Sequence, residues 1–247
     1  MNLKGGVAKT TTVVNMAAIL AAKGKKVLVV DGDAQCNTTE FLTGEETCRA
    51  YATLADALKG ERRGVIEVQP TKLDNVSLLA GDESLMDLDL TKAEDGRLNL
   101  KCLLLRRTWL DESGTDYVLI DCPPAFSAAT AAALLAADDV IIPMKLDAFS
   151  IRGMSVLFRQ IENMRQINPD LTIAGILPTM WYRSPETEQI ENEILRAGLP
   201  VFHHIRLSKT VDRMTLAQRP LQEISRNSGA LRDYRFFIDQ YTSKEVH

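Results

Sequence analysis

The sequence predicts a doubly wound α/β domain, with a mostly parallel sheet flanked by helices, and three observations point there. Short apolar runs lack the alternation of half-exposed strands, helical patterns lie between them, and a glycine-rich stretch carrying lysines opens straight into the first helix. The 247 residues, 45% hydrophobic and 25% charged, suit one domain spanning 1–247 that can bury a core.

Four runs read as buried parallel strands: Val27 to Val30, Tyr117 to Ile120, Val140 to Ile142, and Ile173 to Leu177. A fifth run, Val76 to Leu79, joins them. Thr12 to Lys23 is apolar nearly all round, as a helix packed into a sheet would be, and Gly24 marks its end. Ser150 is placed as the N-cap of a helix whose apolar stripe is Ile151, Met154, Phe158 and Ile161. The acidic stretch from Gly81 to Arg97 reads as a solvated helix and loop. In this fold class, ligands sit at the carboxyl ends of the strands.

Composition removes several function classes. The cysteines Cys36, Cys48, Cys102 and Cys122 form no CxxC pair, so they suggest neither a zinc knuckle nor a redox motif and read as reduced packing residues. No apolar run approaches the ~20 residues that span a bilayer, and a motif stands where a signal peptide would sit, so a cytoplasmic protein is expected. The net charge of -4 argues against indiscriminate nucleic-acid binding by the chain as a whole.

The stretch Lys4-Gly5-Gly6-Val7-Ala8-Lys9-Thr10-Thr11 immediately precedes the first helix. Glycines let backbone amides converge on phosphate oxygens, the helix N-terminus adds its dipole, Lys9 supplies a point charge, and Thr10 offers a hydroxyl to magnesium. Gly5 through Thr11 are therefore the candidate phosphate cradle. After the Val27 run comes Asp31-Gly32-Asp33-Ala34-Gln35-Cys36-Asn37, and after the Tyr117 run comes Asp121-Cys122-Pro123-Pro124. Carboxylates at strand ends beside a phosphate loop can orient water or serve the ligand shell of magnesium.

KGGVAKTTT resembles the deviant Walker A motif of the ParA/MinD superfamily, whose usual form is KGGVGKTT. The Asp31 to Asn37 segment is similar to the family's DxDPQxN motif, with Ala34 in place of proline. Ile120 to Pro124 matches its IDxPP. The resemblance extends from Asn2 to about Tyr241, and Thr179 and Met180 fall in a stretch, GILPTMW, that usually borders the adenine. It implies an ATP hydrolase using ATP and Mg2+ and forming an ATP-dependent homodimer. Lys9 would hold the phosphates of its own nucleotide and Lys4 would reach across the dimer to those of the partner. Asp33 would position the attacking water, and Thr10 and Asp121 would stand on the magnesium side. Thr179 and Met180 are candidates for base contacts, with core or rim packing as the other reading. Ala8 departs from the family's glycine, where a methyl group hinders positive φ.

From Arg206 to Arg235 there are seven basic residues against three acidic ones, a net of +4 in a chain of -4, so the remainder carries -8. Such a basic face suits salt-sensitive, sequence-independent contact with nucleic-acid phosphates; an ordinary solvated helix face is the alternative. The resemblance implies nonspecific DNA binding by the ATP dimer, with Arg206, Lys209 and Arg213 as the candidates, nucleoid association, and slow turnover until a ParB-like partner stimulates it. It points to partition of plasmids or chromosomes. A MinD-like membrane-surface ATPase is the alternative, but the chain from Arg235 to His247 ends polar. An iron–sulfur reductase of the nitrogenase iron protein kind shares the loop but needs cysteines at other positions. A nucleotide-binding scaffold with negligible turnover is a further reading, motivated by Ala8 and by the absence of a strand ahead of the loop.

A phosphate loop normally follows a strand, and only Met1, Asn2 and Leu3 precede Lys4. The first strand of the sheet is therefore expected to be missing, and the natural protein to begin about ten residues earlier.

Overall fold

The computed structural model describes residues 1–44, 51–59, 68–88 and 114–244, and the side chains of 148–152 and 244 are outside that description. In chain order the elements are α1 (Lys9–Ala22), β1 (Val27–Asp31), α2 (Asn37–Thr43), α3 (Leu54–Lys59), β2 (Gln69–Pro70), β3 (Val76–Leu79), a 3-10 turn (Glu83–Asp87) and β4 (Tyr117–Asp121). There follow α4 (Ala128–Ala136), β5 (Asp139–Met144), α5 (Ala148–Arg165), β6 (Thr172–Pro178), α6 (Pro185–Arg196), α7 (Lys209–Ala217), α8 (Leu221–Ile224) and α9 (Gly229–Lys244). Cys48, Cys102 and the acidic residues beyond Leu88 lie outside the described residues.

The strands form two sheets rather than one. The first has the order β2-β3-β1-β4, parallel except for the β2–β3 pair, and the second pairs β5 with β6 in parallel. Both faces of β1 are covered, as its unbroken apolar run requires. Val27 and Val29 join a core with α1 and α9, whereas Leu28 and Val30 join another with α3 and α4. A third core fills the space between β5, β6, α5 and α6. Helices on both faces are the doubly wound arrangement.

Helix α1 begins at Lys9, three residues before its apolar stretch, because the phosphate loop itself supplies its first turn. It stops at Gly24 (φ 81°), where the amides of Gly24 and Lys25 bond back to the carbonyls of Ala21 and Leu20. This is the Schellman pattern, and the left-handed residue is one that glycine adopts without strain. Helix α5 starts at Ala148, so Ser150 lies in its first turn and is not the N-cap expected from sequence. The apolar stripe was placed correctly for Met154, Phe158 and Ile161, which pack on the third core.

Candidate phosphate-binding site

The loop from Lys4 to Ala8 curls over the amino end of α1. Gly6 has φ 67° and Ala8 has φ 63°, so both take the left-handed conformation that turns successive amides to one side. For Ala8 this costs about 1–2 kcal/mol relative to ordinary backbone, and the loop holds the conformation all the same. Helix α1 has neither a side-chain cap nor an acidic residue in its first turn. Its positive end is thus left open towards the loop, an arrangement that favours an anion.

Val7 is buried, and its carbonyl accepts a hydrogen bond from the Thr179 hydroxyl at 3.1 Å. Thr179, itself buried, thereby braces the loop from the end of β6. The adjoining Met180 is left-handed (φ 48°), and Trp181 stacks on His204 with ring centroids 3.7 Å apart. Lys9 folds back so that its Nζ donates to the Lys4 carbonyl at 3.0 Å. Burial lowers the pKa of Lys9, opposed by the nearby charge of Asp121.

Two carboxylates meet beneath the loop because β1 and β4 pair in register, Asp31 beside Asp121. Asp121 accepts hydrogen bonds at one oxygen, Oδ2, from Thr10 (2.5 Å) and Thr38 (2.6 Å), while its buried Oδ1 has no hydrogen-bond partner among the described residues. Burial raises its pKa, and the two threonine hydroxyls oppose that rise. Asp31 is fully buried and is pushed up to about 7 by burial and by the charge of Asp121. It accepts from the Thr39 amide and hydroxyl and from the Asp33 amide, which ties the segment carrying Asp33 to the strand end. Asp33 is half-buried, and one of its carboxylate oxygens accepts from the Gln35 amide at 3.0 Å. The Cys122 thiol is pushed up to about 11 by burial, so it is a protonated packing group at neutral pH.

Lys4 is held by a different carboxylate. Its Nζ sits 2.8 and 3.0 Å from the two carboxylate oxygens of Asp147, beyond the end of β5. Of the basic candidates, Lys209 and Arg213 are exposed on α7. Arg206 instead forms a two-pronged pair with the buried Asp233, at 2.7 and 2.8 Å. Further along, Arg219, Arg226 and Arg235 line a surface notch of about 370 Å³ together with Gln222 and Glu223.

The structure thus brings together Lys9, Thr10 and Asp121, leaves Asp33 half-buried beside them, and pairs Lys4 with Asp147. Sequence reasoning did not single out Asp31, Thr38 or Asp147. Asp31 was visible as the carboxylate ending an apolar run; Thr38 and Asp147 become relevant only once distant segments meet.

A glycine-bearing loop capping a helix, a threonine beside it and a buried aspartate at a neighbouring strand end define a P-loop nucleotide-binding domain. A family model described as an AAA domain matches residues 1–173. The chromosome partitioning protein ParA of Caulobacter vibrioides is 34% identical over 195 residues, covering 78% of this chain and 73% of that protein. The chromosome-partitioning ATPase Soj of Thermus thermophilus is 36% identical over 195 residues, with the same coverage of 78% and 73%. Among solved structures, cobyrinic acid a,c-diamide synthase from Mycobacterium smegmatis with bound ADP and magnesium superposes with a TM-score of 0.77 at 28% identity, over 100% of this chain and 94% of that one. A Cyanothece McdA variant in complex with ATP superposes with a TM-score of 0.82 at 23% identity, over 100% and 94%, a likeness of fold. The chain belongs to the ParA/MinD-type ATPases.

Proposed function

We propose that this protein is a DNA-partition ATPase that binds ATP with magnesium, dimerises in that state, and hydrolyses ATP when a DNA-bound partner stimulates it. The observation that carries the reading is the convergence of Lys9, Thr10 and Asp121 under a loop that also bears Lys4. The site suits a hard divalent cation bound through water. The unpartnered Asp121 Oδ1 and the Thr10 hydroxyl are oxygen donors, and no group of three or more His, Cys, Asp or Glu among the described residues forms a complete protein cage. Magnesium would neutralise charge on the phosphate oxygens.

Lys9, already turned into the loop, supplies the fixed positive charge on the same side. The amides of Gly6 to Thr10, at the open end of α1, hold the phosphates. Asp33 lies at the rim, tethered through its amide to Asp31, where a carboxylate can orient water. Lys4, held by Asp147 in a partly exposed ion pair, can exchange that partner for a phosphate in the site of a second copy, where its charge would act in the manner of an arginine finger. For DNA, the exposed Lys209 and Arg213 and the arginine notch favour phosphate contact, with Arg206 holding α9 in place through Asp233.

The test is ATP hydrolysis by the purified protein alone, with nonspecific DNA, and with DNA plus a ParB-like partner from the same replicon. The reading expects low basal turnover and at least a tenfold rise with both additions. Turnover indifferent to DNA and partner would remove the partition role while leaving the ATPase assignment in place.

A further inference from the structure

We propose that Thr38 is a positioning residue for magnesium: its hydroxyl fixes the rotation of the Asp121 carboxylate, so that one oxygen is fully engaged and the other stays open to the shell of the cation. This deepens the reading given above and rests on Asp121 serving magnesium. Asp121 ends β4, and Thr38 lies in the first turn of α2, 83 residues earlier in the chain. Both are buried, at 1% and 0% exposure.

The register of the sheet explains how a helix residue reaches that carboxylate. Asp31 and Asp121 are partners at the ends of β1 and β4, and adjacent strands lie ~4.8 Å apart. Two successive threonines of α2 meet the two carboxylates. Thr39 donates to Asp31 Oδ2 at 2.7 Å, and Thr38 donates to Asp121 Oδ2 at 2.6 Å.

This approach of α2 is held at two points. Cys36 takes the left-handed conformation (φ 55°), its amide bonds back to the Asp33 carbonyl at 2.9 Å, and the helix begins at the next residue. The Gly81 amide donates to the Thr39 hydroxyl at 3.1 Å, and a Cβ at position 81 would stand 2.8 Å from the Asp31 carbonyl oxygen. Glycine is what lets that segment come so close.

The distribution of donors on Asp121 separates positioning from mere burial. A buried carboxylate that needs only satisfaction takes donors on both oxygens, because an unpartnered buried oxygen is costly. Here Thr10 and Thr38 both donate to Oδ2, at 2.5 and 2.6 Å, while the buried Oδ1 accepts from no described residue. With Thr10 alone the carboxylate can pivot about a single bond; the second bond, from a different helix, fixes it. Each hydroxyl has one proton, and both protons are committed to the same oxygen. Thr10 adjoins the phosphate loop and keeps its lone pairs for a hard cation, whereas Thr38 lies outside the loop and acts through Asp121. Outer partners of this kind tune the metal affinity of the groups they orient.

Binding of N-methylanthraniloyl-ATP to the full chain, titrated with Mg2+ and repeated in EDTA, tests this. Thr38→Val keeps the shape and removes the hydroxyl. It is expected to raise the Mg2+ concentration for half-maximal binding by about tenfold, with affinity in EDTA within about twofold of the parent. Thr38→Ser is expected to restore the Mg2+ dependence of the parent. Thr39→Val, which frees Asp31 instead, is expected to lower Tm and leave the Mg2+ dependence in place.

An unchanged Mg2+ dependence in Thr38→Val overturns the proposal. So does a loss of affinity that is equal with and without Mg2+, the mark of a purely structural role, or an equal shift in Thr39→Val, which would trace the effect to a loosened α2. If Thr38→Val is insoluble, Thr38→Ala is judged by the same criteria. A parent that binds the nucleotide equally with and without Mg2+ removes the magnesium reading and this proposal together. A parent that responds to Mg2+ beside an unshifted Thr38→Val removes the proposal alone.

Discussion

Lys4 and Asp147, 143 residues apart in the chain, are joined by a two-pronged ion pair at 2.8 and 3.0 Å, and both side chains are partly exposed. A pair of this kind contributes about 0–1 kcal/mol, enough to hold the lysine but little enough to give way when another anion is offered. If Lys4 serves a second copy, Asp147 competes with that use. Asp147→Asn is expected to raise the fraction of ATP-bound dimer by up to about fivefold at fixed protein concentration, as seen by analytical ultracentrifugation. Weaker dimerisation in the variant would indicate that Asp147 helps build the interface.

Ala8 holds a left-handed backbone that glycine adopts freely. Ala8→Gly relieves about 1–2 kcal/mol of strain and loses part of this to the greater freedom of glycine in the unfolded chain. The expected net gain is about 0.5–1 kcal/mol in urea unfolding. A loss of stability would mean that the alanine conformation is not strained in solution.

The Asp31 carboxyl, ordinarily near 3.8, is pushed up to about 7 by burial and by Asp121. Between those values the folded protein holds a proton that the unfolded chain has released, so the contribution of Asp31 to stability is expected to fall as pH rises from about 4 to 7. Asp31→Asn, which cannot ionise, is expected to flatten that slope in ligand-free thermal unfolding. An unchanged slope in the variant would place the titrating group elsewhere.

For the basic notch, Arg226→Ala and Arg235→Ala are each expected to weaken DNA binding at every sequence tested and to lower the salt slope by about one. Fluorescence anisotropy at several salt concentrations measures both. Arg206→Ala offers a contrast: it removes the partner of buried Asp233 and should lower stability.

Much of the nucleotide site was legible because its parts are contiguous. The phosphate loop and the segments that carry Asp33 and Asp121 each lie within a few residues, and the apolar runs placed β1, β3, β4, β5 and β6 to within two residues, whereas the short β2 was not foreseen. The remainder depends on topology. The Asp31–Asp121 pairing follows from a strand register between segments 90 residues apart, and the Lys4–Asp147 pair follows from the place of β5. Arg206 looked like its basic neighbours in sequence, and only the packing of α9 showed its carboxylate partner. The apolar run of β4 suggested a strand buried in one continuous sheet, whereas one of its edges lies open to the cavity between β4 and β5. Ser150 resembled a cap, but its helix had already begun at Ala148.

The central claim is that the two lysines act in different sites, Lys9 in its own and Lys4 in that of a second copy. Its most direct test is single-turnover ATP hydrolysis and ATP affinity for Lys4→Ala, Lys9→Ala and an equal mixture of the two. Lys9→Ala is expected to lose ATP binding, and Lys4→Ala to bind ATP within about threefold of the parent while losing stimulated turnover. The mixture should recover part of that turnover, because a mixed dimer pairs one intact ATP site with an intact Lys4 from the other copy. Full turnover by Lys4→Ala alone would contradict the account.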